Sequence, residues 1–121
     1  EFAREGLNVV SASRDVATGE KLAAEAAKLG LPGKVLAVAT DVTDRASVDA
    51  MVARANEVFG PVDVLVNNAG GVAHPANLEE LDADARRWEI ALNIDGVVNC
   101  CHAVTQDRQH HQHFFQFLPP G

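Results

Sequence analysis

Apolar residues along this chain recur with two different periods, and the changes of period predict its elements. Leu7-Asn8-Val9-Val10, followed by the polar Ser11-Ala12-Ser13-Arg14-Asp15 turn, reads as a short strand, and Val35 to Ala39 as a second. Val64-Leu65-Val66 reads as a third, buried on both faces. Apolar runs without polar alternation are the habit of a parallel sheet covered by helices. Between the strands the period lengthens. Helix-forming residues run from about Thr18, a capping hydroxyl, to Gly30, with Leu22, Ala26 and Leu29 on one stripe and Leu31-Pro32-Gly33 as the stop. Thr43 is expected to cap the next helix, where Val48, Met51, Val52, Ala55, Val58 and Phe59 follow the i, i+3, i+4, i+7 template up to Gly60-Pro61. After a loop from Gly71 to Asn77, a long helix is expected from about Asp82 to Thr105. Leu81, Ala85, Trp88 and Leu92 form its first stripe, and Gly96, Cys100 and Ala103 continue it with small residues. Phe2 to Gly6 reads as the last turn of an earlier helix, ended by a left-handed glycine.

Strands alternating with helices at this spacing predict an α/β fold with a doubly wound parallel sheet and right-handed crossovers. Composition narrows the partners. The net charge of −7, with no lysine or arginine stripe, repels nucleic acid and anionic membrane surfaces. No run approaches the ~18 apolar residues of a membrane span. Cys100 and Cys101 are adjacent, so no disulfide framework exists and a reducing, cytoplasmic setting is expected, with cysteine serving as packing on an apolar helix face. His110-His111-x-His113 lacks the i, i+4 spacing of a helical metal pair, so no metal site is expected; His74 and His102 have no visible partner. The chain begins without a methionine, so residues before Glu1 are expected. The character changes at Gln106. All four glutamines, three of five histidines and three of five phenylalanines lie in 106–121, which divides the chain into a domain over 1–105 and an atypical tail, expected to be frame-shifted, mis-spliced or otherwise foreign to the domain.

Candidate chemistry gathers where strands end. Asn67-Asn68-Ala69-Gly70 follows the third strand, Thr40-Asp41-Val42 the second and Ser13-Arg14 the first. Open α/β sheets keep ligands at those carboxyl ends, and a glycine there lets backbone approach a ligand closely. Together with Asn93-Ile94-Asp95-Gly96, this order resembles the short-chain dehydrogenase/reductase family over residues 1 to about 105, from the end of the first helix onward. The resemblance implies a partial NAD(P)-binding Rossmann-like fold and hydride transfer between NAD(P) and a small alcohol or ketone, such as a 3-oxoacyl, sugar or steroid-like substrate. It implies that Ser13 and Arg14 meet the adenosine ribose, where arginine pairs with the 2′-phosphate of NADP; NADP is favoured, NAD stays possible, and Asp15 is an alternative reader. Asp41 and Val42 would hold the adenine. Asn68, Ala69 and Gly70 would line the nicotinamide ribose side while Asn67 braces the sheet, and the backbone carbonyl of Asn93 would hold a water of the proton relay. The long helix is the surface such proteins use for dimerising, so a homo-oligomer through residues 82–105 is expected.

Each residue has a plainer reading: an exposed arginine, an aspartate shaping a turn, an asparagine tolerated on a half-buried helix. Agreement among neighbouring motifs favours the cofactor roles. The family's glycine-rich phosphate turn, catalytic serine and Tyr-x-x-x-Lys pair are absent, and the chain holds no tyrosine at all. It is therefore expected to be inactive by itself. The alternatives are a non-catalytic dinucleotide-binding or dimerising fragment, or a flavodoxin-like regulatory domain. In the family's sheet order a further strand lies between those at Val9 and Val64; without it two apolar edges stand open and the isolated chain is expected to be marginal or partly molten.

Overall fold

The computed structural model describes residues 1–73, 77–80 and 82–116, with side chains as far as residue 109 apart from that of Leu78. Strands β1 (Val9–Ser13) and β2 (Val35–Ala39) pair in parallel, Val9 opposite Val35 and Ser13 opposite Ala39. β2 matches its predicted bounds, but β1 starts later and takes in Ser11 to Ser13, expected to be a turn. Pairing with Ala37 to Ala39 gives those polar residues ladder partners, which outweighs their turn preference.

Helix α1 (Val16–Lys28) covers one face of the sheet. Small residues make that approach possible: a Cβ on Gly19 would stand 2.9 Å from the Ala37 Cβ and 3.3 Å from the Ser11 Oγ. The cap is Asp15 rather than Thr18, and Thr18 instead donates to it through both its backbone N–H and its hydroxyl. At the far end Leu31 N–H reaches the Ala26 carbonyl and Gly30 N–H the Ala27 carbonyl, with Gly30 left-handed at φ 62°, so the helix closes in a Schellman motif. Gly6 (φ 89°) closes the turn at Phe2 in the same way, with Leu7 N–H on the Phe2 carbonyl and Gly6 N–H on that of Ala3. Leu22 and Leu29 are not core. They overhang the two-stranded sheet, 49 % and 54 % exposed, beside Phe2, Leu31 and Val35, while Gly19 and Ala26 take the buried positions.

The opposite face carries α2 (Arg45–Phe59), capped by Asp44 instead of Thr43, and the long helix α4 (Gly96–Gln116). Val48, Met51, Val52, Cys100 and Ala103 form the core there, closed by Val10, Val38, Val42, Leu65 and Val104. Ser11 and Ala37 face α1, while Val10 and Val38 join the core under α2 and α4, so the parallel strands are covered on both sides. Val58 misses the core at 41 % exposure.

Two predicted elements differ. Residues 62–70 belong to no ladder or helix, and Val64 and Val66 are 69 % and 66 % exposed; Leu65 alone packs inward. A buried strand needs a hydrogen-bonding neighbour, and among the described residues none lies on this side of the sheet, where β1 also has no second partner. The expected long helix is three pieces: α3 (Ala83–Ile90), a π turn over Ala91–Asp95, and α4, which runs beyond Thr105 to Gln116. Ala85, Leu92, Gly96, Cys100 and Ala103 are buried as the stripe predicted, whereas Trp88 is 38 % exposed. The compositional change at Gln106 coincides with no break in α4. Gln106 accepts from Arg45, Asp107 accepts from Asn56 at 2.6 Å, and Arg108 donates to the Val62 carbonyl. Leu81 and His74 lie outside the described residues, as do the side chains of His110, His111 and His113.

Candidate functional site

Parallel pairing brings the carboxyl ends of β1 and β2 together. Thr40 N–H continues the ladder to the Ser13 carbonyl at 2.9 Å, which places Arg14 and Asp41 at the same edge. Ser13 Oγ donates to the Asp15 carbonyl at 2.8 Å. The Asp15 carboxylate is committed to α1, each oxygen accepting from Thr18, and these bonds, the hydroxyl's first, hold it below the usual carboxylate range. Arg14 is exposed and makes no hydrogen bond or ion pair among the described residues.

Asp41 begins the next turn. Its Oδ1 accepts from the Thr43 hydroxyl at 2.7 Å and the Thr43 N–H at 2.9 Å, while its own N–H donates to Ser47 Oγ at 3.0 Å. The Thr43 bonds, assisted by the positive charge of Arg14, lower its pKa. Oδ2 makes no bond among the described residues, so one carboxylate oxygen is open at the turn. Val42 packs on the core, and its carbonyl accepts from Asn99 Nδ2 at 2.9 Å.

Asn67, Asn68, Ala69 and Gly70 are exposed. Asn67 braces α4 rather than the sheet, donating to Cys101 Sγ at 3.4 Å; among the described residues no neighbouring strand receives it. Asn93, in the π turn, holds the loop that follows. Its Oδ1 accepts from Gly71 N–H at 2.9 Å, and its Nδ2 donates to the Gly71 carbonyl at 2.7 Å and the Glu89 carbonyl at 2.9 Å. A Cβ on Gly70 would stand 2.9 Å from that Oδ1. The helical segment 93–101 thus touches both the turn at Val42 and the turn at 67–71, and the three loops gather at one end of the fold. Sequence reasoning missed Ser47, Glu89 and Asn99. Asn99 carried a signal, because a second asparagine in the same helix is as poor a helix former as Asn93.

His102 has a partner after all, Arg45 Nη1 at 2.6 Å from its Nδ1, a contact that needed two helices to meet. Cys100 is buried, and burial pushes its thiol pKa up; Cys101 is exposed. Among the described residues no cluster of metal-ligating side chains exists, and no helix is long and apolar enough to cross a membrane.

A family model described as short chain dehydrogenase matches residues 1–112. The chain belongs to the short-chain dehydrogenase family. Oxidoreductase UcpA of Salmonella typhimurium is 44 % identical over 106 residues, a match covering 85 % of this chain and 38 % of that protein. Among solved structures, 3-ketoacyl-(acyl-carrier-protein) reductase from Brucella melitensis, complexed with NADH, is similar with a TM-score of 0.78 at 36 % identity, over 88 % of this chain and 42 % of that one. An alcohol dehydrogenase from Thermococcus sibiricus, complexed with 5-hydroxy-NADP, gives a TM-score of 0.75 at 31 % identity, covering 88 % and 44 %. The chain spans about two fifths of the length of these relatives. It is an α/β segment of an NAD(P)-type Rossmann fold within this family of oxidoreductases.

Proposed function

We propose that this chain carries the adenosine and nicotinamide-ribose contacts of a dinucleotide site, and that the protein it represents transfers hydride between NADP and a small alcohol or ketone. The observation that carries the reading is the gathering of Arg14, Asp41 and Asn68 to Gly70 at one end of the parallel strands. A bound nicotinamide would supply or accept the hydride. The residues fit such a ligand: Asp41 has an open oxygen for the adenine amino group, the Val42 backbone is held in place by Asn99, and Asn68, Ala69 and Gly70 offer exposed polar groups and backbone. Arg14 favours NADP over NAD, because its guanidinium is uncommitted whereas both oxygens of Asp15 are occupied. Ser13 completes the turn. The backbone carbonyl of Asn93 belongs to the proton relay in this reading.

No tyrosine stands in the chain to give a proton to a carbonyl oxygen, so we read the chain alone as a dinucleotide-binding module without turnover. A cytoplasmic setting and association through residues 82–105 belong to the same proposal. Titrating NADPH and NADH separately while following Trp88 fluorescence tests it. Saturable binding with NADPH the tighter ligand, and no oxidation with a ketone present, supports the module; turnover supports a complete enzyme; binding of neither dinucleotide refutes both.

A further inference from the structure

Among the described residues the loop after Asn68-Ala69-Gly70 has no sheet partner, so something else must fix its path. Asn93 grips it at Gly71 alone, donating to and accepting from the same residue, and a loop held at one residue can pivot there. A second hold lies two residues on. Glu89 Oε1 accepts from the Ala73 N–H at 2.8 Å in a half-buried setting. Glu89, at the end of α3, and Asn93, in the π turn, both reach this loop. The helix lies tight against the loop, since a Cβ built on Gly71 would be 3.5 Å from both the Leu92 Cδ2 and the Trp88 Cη2.

We propose that Glu89 is a positioning residue: by accepting from Ala73 it stops the 68–73 loop turning about Asn93 and holds its backbone in the single arrangement that meets the dinucleotide. The inference rests on the dinucleotide reading above.

Three chains test it: the present one, Glu89→Met, which keeps length and loses the acceptor, and Glu89→Gln, whose amide oxygen can still accept. NMR-detected exchange should show the Ala73 amide opening about tenfold faster or more in Glu89→Met, with amides of α2 unchanged. NADPH dissociation constants from Trp88 fluorescence should rise about tenfold in Glu89→Met at an unaltered melting temperature, with Glu89→Gln close to the parent in both readouts. Unchanged Ala73 exchange, an unchanged dissociation constant, or a Glu89→Gln chain as weak as Glu89→Met would overturn the role. A melting temperature that falls in step with affinity would assign Glu89 to stability alone and also overturn it. If the parent chain binds neither dinucleotide, the functional reading fails, and the exchange result then decides the hold of Glu89 on the loop separately.

Discussion

Substituting Gly96 by alanine sets two effects of similar size against each other. Gly96 starts α4 with ordinary helical torsions (φ −58°, ψ −43°), so an added methyl meets no backbone strain. Helix propensity alone would reward the change by roughly 1 kcal/mol. Space opposes it: the new Cβ would lie 2.7 Å from Val42 Cγ2 and 3.2 Å from Val42 Cβ. Valine cannot swing aside, because two branches on its Cβ leave few rotamers, and its backbone is tied to α4 through Asn99. Overpacking of this kind costs about 1–3 kcal/mol, which outweighs the propensity gain and leaves a net loss of about 1 kcal/mol. Urea unfolding followed by far-ultraviolet circular dichroism, in a fixed concentration of trimethylamine N-oxide to raise the baseline of both chains alike, reads the difference. The Val42→Ala background supplies the control. With the methyls gone, Gly96→Ala should change sign and stabilise by up to about 1 kcal/mol. Equal effects of Gly96→Ala in the two backgrounds would show that α4 does not press on the Val42 turn, and the reasoning would fail.

Other consequences follow from single contacts. Gly33→Ala should be far worse than Gly96→Ala and is expected to abolish cooperative folding, because its Cβ would stand 2.1 Å from the Leu7 carbonyl oxygen, which is backbone and cannot rotate away; circular dichroism at low temperature checks this. Removing the α2 cap with Asp44→Ala, which takes away the acceptor for Ala46 N–H, should cost about 1 kcal/mol in the same urea assay. Asp41 titrates below its ordinary value in the folded chain, so its bonds to Thr43 and the charge of Arg14 stabilise the fold above about pH 4, the unfolded value; that support should fade as pH falls from there through the lowered native value. Asp41→Asn should flatten this part of the pH–stability profile. Arg14→Ala should weaken NADPH and leave NADH nearly unaffected, as read by Trp88 fluorescence.

How much of this could be read from the sequence depended on the range of the forces involved. β2 and the α2 stripe were legible because period and propensity agree locally, and Val48, Met51, Val52 and Ala55 all went to the core. The π turn was not, since nothing in Ala91-Leu92-Asn93-Ile94-Asp95 distinguishes a wide turn from an α-helical one before Asn93 finds Gly71. Val64 and Val66 have the composition of a buried strand, but burial of a strand is a property of its neighbours, and a residue pattern reports only the strand. Leu22 and Leu29 mislead likewise: the stripe is real, yet a sheet of two strands is too narrow to cover it. Both caps were misplaced, three residues late at Thr18 and one residue early at Thr43, because a nearby aspartate outcompeted the hydroxyl.

The claim on which the rest depends is that the ends of β1 and β2 and the turn at Asn68 form one dinucleotide site. Amide chemical shifts of the isotope-labelled chain, recorded as NADPH is added, test it most directly. The account predicts that Arg14, Val42 and the Asn68 to Gly70 amides move together along one saturation curve while α1 beyond its first turn stays still. Shifts confined to one of the three loops, or following different curves, would contradict it.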